Sequence, residues 1–144
     1  MTEHPSGELR WNPLAHRWVA VAGHRSARPV DGPPAATEPE RPARDPACPF
    51  CPGNEHETLP AVAILPADGG DSWELRVVPN KFPSFDGTEP LGPTQEVRAA
   101  ASGSSEVVIF TPDHNRDLAD CSPLLATALL PVIAERCRAH AGLP

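Results

Sequence analysis

The sequence predicts an α+β protein, mostly antiparallel strands followed by one long C-terminal helix. Three observations carry this. Short stretches alternate apolar and polar residues, as where Trp73, Leu75 and Val77 interleave with Glu74 and Arg76. Turn signals built from Pro, Gly and Asn separate these stretches. The one convincing helical period comes last, at Leu125, Ala128, Leu129, Val132 and Ile133. Strands first and a helix afterwards is the order of an α+β chain.

The elements follow in sequence. "GELRWNPLAHRWVAVAG" is a hairpin: Leu9 and Trp11 alternate on one strand, Asn12-Pro13 turns, and Trp18 to Val21 return. Residues 24–47 carry Pro, Ala and charge without a hydrophobic period, so they are expected to form a long loop, most Pro-rich over 29–47. "AVAILPADGG" supplies a short strand and a Gly-rich turn, and "SWELRVVPN" a half-buried strand. "QEVRAA" and "SSEVVIFTP" are two more strands, separated by Ala101-Ser102-Gly103. Ser122 suits a helix N-cap and Pro123 the first helical position. Pro131 removes one backbone donor and is expected to kink this helix.

The 144 residues suit one ordinary domain able to bury a core. A net charge of -7 excludes a broad nucleic-acid or membrane surface, because both need a basic face. A small anionic ligand needs only a few local arginines and is not excluded. The N-terminal "MTEHPSGELR" lacks the apolar run of a secretory signal, and no stretch approaches the roughly 18 apolar residues of a membrane span. A cytoplasmic protein with reduced thiols is expected.

Two of the four cysteines, Cys48 and Cys51, stand in "ACPFCPGNE". A Cys-x-x-Cys knuckle presents two sulfurs to adjacent corners of a zinc tetrahedron. A redox pair would open a helix, whereas Pro52-Gly53-Asn54 is turn chemistry, so metal is preferred to redox, disulfide or idle thiols. Two further ligands must come from elsewhere. His114, in "FTPDHNRDL" just past a strong strand, is the best placed; the alternative is a surface turn histidine. His56 lies too close to the knuckle to close the site well. Cys121 is a weaker candidate, and Cys137, four residues past Ile133, is expected to be a buried thiol.

Arg25 and Arg28 in "HRSARP" can clamp a phosphate or diphosphate with bidentate forks, although composition alone favours a solvated basic turn. In "VPNKFPSF", Asn80 can read a base or ribose, or merely form a turn, and Lys81 follows it at the strand end.

"RWNPLAHRWVAVAGHRSARP", "CPFCPGNE", "RVVPNKFP" and "GSSEVVIFTPDHNRDLAD" stand in the order found in galactose-1-phosphate uridylyltransferases of the histidine triad superfamily. The resemblance spans about residues 9–140. It implies half of a histidine-triad-like barrel, with 1–144 forming a single incomplete N-terminal domain. It also implies zinc on Cys48, Cys51 and His114. Arg25 and Arg28 would contact the nucleotide sugar from the neighbouring subunit of a homodimer. Asn80 and Lys81 match the nucleotide-contacting pair in position, although the family often has Asn-Asp there. The implied reaction moves UMP from UDP-glucose to galactose 1-phosphate through a uridylyl-histidine, in galactose metabolism.

One departure bears on activity. The family's nucleophile is a histidine of a His-Pro-His motif on a strand after the long helix, and that local cluster also supplies the fourth zinc ligand. This sequence contains no His-x-His, so no catalytic residue is assigned to it. An N-terminal fragment, a truncated product or a split enzyme is expected, inactive without a complementing C-terminal half. Two other readings stand beside it: another nucleotide-sugar or dinucleotide phosphorylase of the same superfamily, and a non-catalytic zinc module that binds a protein partner.

Overall fold

A computed structural model describes residues 7–23, 25, 41–67, 72–85, 97–121 and 123–141, without the side chain of Leu124. Arg28, most of the Pro-rich loop and the expected N-cap Ser122 lie outside the described residues. The strands are β1 Glu8–Asn12, β2 Arg17–Val21, β3 Ala63–Pro66, β4 Trp73–Pro79, β5 Arg98–Ala100 and β6 Glu106–Ile109, followed by helix α1, Pro123–His140. The α+β expectation holds, with the antiparallel strands divided between two three-stranded sheets. The chain separates into two compact units, one built on 1–30 and 82–105, the other on 31–81 and 106–141.

The first unit holds the sheet β2-β1-β5. β1 and β2 pair from Glu8 opposite Val21 to Asn12 opposite Arg17, leaving a four-residue loop. The Asn12 Oδ1 closes that loop by accepting the Leu14 and Ala15 amides, each at 3.0 Å. His16 completes the reversal at φ 48°, a left-handed conformation that histidine tolerates better than most residues. The Trp11 and Trp18 rings then meet edge to face, 5.6 Å apart, across the hairpin.

The second unit holds the sheet β3-β4-β6 and α1. Leu75 and Val77 of β4 are fully buried and pack with Leu125, Leu129 and Val132 of α1. Burying each such side chain contributes about 1.5–3 kcal/mol. β4 is more deeply buried than its alternation predicts, since Arg76 and Val78 on the opposite face are also 2% exposed. The reason is position: as the central strand, β4 is flanked by β3 and β6 and covered on its second face by the segment after the knuckle. The Arg76 guanidinium lies 5.1 Å over the Trp73 ring, donates to the Thr58 Oγ1 at 3.0 Å and pairs with Glu55 at 3.6 Å. Those partners offset the cost of burying the charge, although the Arg76 Nε has no hydrogen-bond partner among the described residues.

α1 runs through Pro131 to His140. Its docked stripe is Leu125, Leu129, Val132 and Arg136, with the Arg136 fork gripping Glu106 at 2.7 and 3.0 Å. That stripe corrects the expectation for Cys137, which is exposed. Ile133 and Cys137 flank the buried stripe by one residue, or about 100° of helix rotation. Among the described residues, no helix is long and apolar enough to cross a membrane.

Candidate metal centre

The knuckle lies in the second unit as a chain of three hydrogen-bonded turns. The Cys48 amide donates to the Asp45 carbonyl at 3.2 Å, the Cys51 amide to that of Cys48 at 3.3 Å, and the Asn54 amide to that of Cys51 at 3.1 Å. Pro46, Pro49 and Pro52 lack amide donors, so these turns cannot merge into a helix. Gly53 follows at φ 90°, a conformation that suits glycine. The chain then makes one 3-10 turn, Glu55–Glu57, in place of the helix a redox pair would open.

Glu55 ties this turn to the central strand. One carboxylate oxygen accepts the Gly53 amide and the other the Trp73 indole N–H, both at 2.9 Å. The indole bond is the main reason the Glu55 carboxyl is held below its ordinary range. Charged Glu55 therefore joins the knuckle to β4.

His114 arrives from the other side. It follows β6 by five residues, and its amide donates to the Ala43 carbonyl at 2.9 Å, pinning the histidine turn to the segment entering the knuckle. Its Nδ1 lies 3.5 Å from the Cys51 Sγ. The ligand atoms of Cys48, Cys51 and His114 all lie within 4.8 Å of one another. Cys51 is buried, and burial pushes its thiol up, with the adjacent Cys48 adding to the effect; the Asp45 amide, 3.4 Å from the Cys51 Sγ, pulls the other way. A bound cation would reverse the balance and take both cysteines as thiolates. Two thiols and an imidazole form a soft donor set that can hold a transition-metal ion.

The other sequence candidates sit elsewhere. His56 is exposed and pairs with Glu57 at 3.3 Å. Cys121 packs against the α1 core, with its thiol 3.8 Å from the Asp117 carbonyl. Asn80 and Lys81 directly follow β4 in the second unit, with Lys81 exposed. Arg25 belongs to the first unit, where its Nη1 donates to the Ser84 Oγ. Sequence reasoning missed the bracing: Asn54, Glu55 and the Ala43 carbonyl. Only Asn54 had left a signal, as a turn residue after the second cysteine.

An α+β protein with a Cys-x-x-Cys knuckle and a distant histidine gathered in the unit that holds the β3-β4-β6 sheet is the class that fold and site define together. Residues 1–137 match the family described as galactose-1-phosphate uridyl transferase, N-terminal domain. The chain belongs to that family. It is 34% identical over 128 residues to the ADP-glucose phosphorylase of Arabidopsis thaliana, covering 85% of this chain and 36% of that protein. It is also 34% identical over 135 residues to the galactose-1-phosphate uridylyltransferase of Haemophilus influenzae, covering 89% of this chain and 34% of that protein. Against the crystal structure of the Arabidopsis thaliana phosphorylase with bound ADP-glucose, the TM-score is 0.53 at 29% identity, over 95% of this chain and 39% of that one. A uridylyltransferase mutant structure gives 0.55 at 28% identity, over 91% of this chain and 33% of that one. The chain thus spans about a third of the curated relatives it matches, 36% and 34% in the two cases.

Proposed function

We propose that this chain is the zinc-bearing N-terminal part of a nucleotidyltransferase that moves UMP from UDP-glucose to galactose 1-phosphate through a uridylyl-histidine. The observation that carries the reading is the convergence of Cys48, Cys51 and His114 in a member of this family. Zinc bonds of about 2.3 Å to sulfur and 2.0 Å to nitrogen set tetrahedral ligands about 3.5–3.8 Å apart. The 3.5 Å between the Cys51 Sγ and the His114 Nδ1 fits that spacing. Bound there, zinc would hold the knuckle to the histidine turn as a structural cross-link.

In this reading Arg25 and Arg28 bind the diphosphate and Asn80 and Lys81 meet the nucleotide, within a homodimer or with a complementing C-terminal half, in the cytoplasm. The donors neutralise charge as the phosphorus is attacked. The attacking imidazole is not among this chain's six histidines, none of which stands in a His-x-His pair. His114 in particular would have its Nδ1 lone pair engaged by the metal.

A second reading is favoured by the phosphorylase relative and its solved structure: the same half-site serving ADP-glucose. Calorimetric titration of the chain with UDP-glucose and ADP-glucose separates the two. Preference for the uridine nucleotide supports the transferase, preference for the adenine nucleotide supports the phosphorylase, and indifference to both overturns nucleotide binding by this chain alone. Arg25→Ala should weaken whichever is bound about tenfold or more, because a charge-assisted hydrogen bond contributes about 1.5–3 kcal/mol. The isolated chain should show no transfer from UDP-glucose to galactose 1-phosphate. A burst of glucose 1-phosphate from it would overturn the assignment of the nucleophile to residues outside it.

A further inference from the structure

We propose that Asn54 is a positioning residue of the metal centre, its side-chain amide holding Cys48 in place for a metal ion. The proposal rests on the metal reading of Cys48, Cys51 and His114. The Asn54 Nδ2 donates to the Pro46 carbonyl at 2.9 Å and to the Cys48 carbonyl at 2.7 Å. Both amide hydrogens are therefore used on one arm of the knuckle. The Asn54 backbone amide meanwhile donates to the Cys51 carbonyl at 3.1 Å. A single residue thus grips the loop on either side of the first cysteine and, by its own backbone, the second cysteine.

The knuckle needs this grip because its own backbone supplies little. Its three turns are linked by bonds of 3.1–3.3 Å without a cooperative ladder, and three prolines withhold donors. The side-chain bonds of Asn54 are the shorter ones, and they fix the carbonyl of a ligand residue. The Asp45 carboxylate adds a lesser brace by accepting the Ala47 amide at 2.8 Å. Asn54 itself is unstrained at φ -108° and ψ 22°, so alanine or aspartate fits there. Aspartate keeps the size and turn preference of asparagine but sets carboxylate oxygens against the two carbonyls, replacing the donation with repulsion, whereas alanine removes the donation without adding charge.

The test uses the full chain, with zinc affinity read by competition with a chromophoric chelator and ligand geometry read from the absorption bands of the cobalt(II)-substituted protein. Asn54→Ala and Asn54→Asp should each bind zinc about 10–100-fold more weakly than wild type, the range for residues that orient metal ligands, and should shift the cobalt bands. Should Asn54→Ala fail to fold, the near-isosteric Asn54→Asp carries the comparison. Wild-type affinity in Asn54→Asp overturns the proposal. So does a weaker affinity with an unchanged cobalt spectrum at saturation, which would mean that folding alone had suffered. Cys48→Ser reports on the underlying reading: if it binds like wild type, or if wild type binds neither metal, the metal centre falls and the role of Asn54 falls with it.

Discussion

Replacing Cys51 with serine is expected to strip the chain of stoichiometric zinc, from about one equivalent to below about a tenth after dialysis. Cys51 is the buried member of the trio, 2% exposed, and lies 3.5 Å from the His114 ring nitrogen. Serine offers a hard oxygen that stays protonated at neutral pH, where a metal-bound cysteine offers a soft thiolate. The loss should extend to stability. A ligand held at a thousand times its dissociation constant stabilises the folded state by about 4 kcal/mol, and that increment disappears with the metal. Because the ligands must be deprotonated, falling pH should release zinc from wild type and a chelator should lower its thermal midpoint. His56→Ala is the control and should keep its zinc, since His56 is exposed and paired with Glu57. Metal analysis of the three proteins decides the matter, and equal zinc in Cys51→Ser and wild type would end the assignment.

Glu106→Gln is expected to lower stability by about 2 kcal/mol at neutral pH, or about 7 °C in thermal midpoint for a chain of this size. Glu106 opens β6 and its carboxylate receives the Arg136 fork at 2.7 and 3.0 Å and lies 2.8 Å from the His140 Nε2. The carboxylate is nearly buried at 13% side-chain exposure, whereas Arg136 is more open, so solvent screening keeps the effect near the lower end for charged hydrogen bonds. Arg136 is the first cause, and His140 the second, that holds the Glu106 carboxyl below its ordinary range. The sign follows from that depression. Below the ordinary glutamate value of about 4.3 the unfolded chain takes up the proton first, so stability rises with pH there. The contribution is complete above that value and is lost as pH falls through the lower, folded-state value. Thermal unfolding from pH 3 to pH 7 should show an acid limb in wild type that is shallower in Glu106→Gln. Superimposable acid limbs would show that this carboxylate does not anchor α1.

Much of the fold was legible because its signals are local. The turn at Asn12-Pro13, the alternation in β4 and the period of α1 each fall within a few residues, and backbone sterics read them directly. The Cys48–Cys51 knuckle is equally local, so its two sulfurs could be identified from spacing and from the turn residues that follow. His114 stands differently. It is 63 residues from Cys51, and its place beside the sulfurs depends on how β6 pairs with β4 and on the Ala43 carbonyl that receives its amide.

What the sequence by itself determined, then, is the order and type of the elements, the close spacing of the two knuckle sulfurs and the absence of a His-x-His pair. Tertiary structure decided which faces those elements bury. β4 became a two-sided strand with Arg76 inside, because its neighbours cover both faces and Trp73, Thr58 and Glu55 offset its charge. Cys137 came to lie in solvent, because the docked stripe of α1 passes through Val132 and Arg136, one residue to the side. Asn54 became a clamp, because folding brings two upstream carbonyls within reach of one amide. Periodicity specifies that a helix or strand has an apolar face, but the partner that covers it comes from distant chain, and long-range docking selects it.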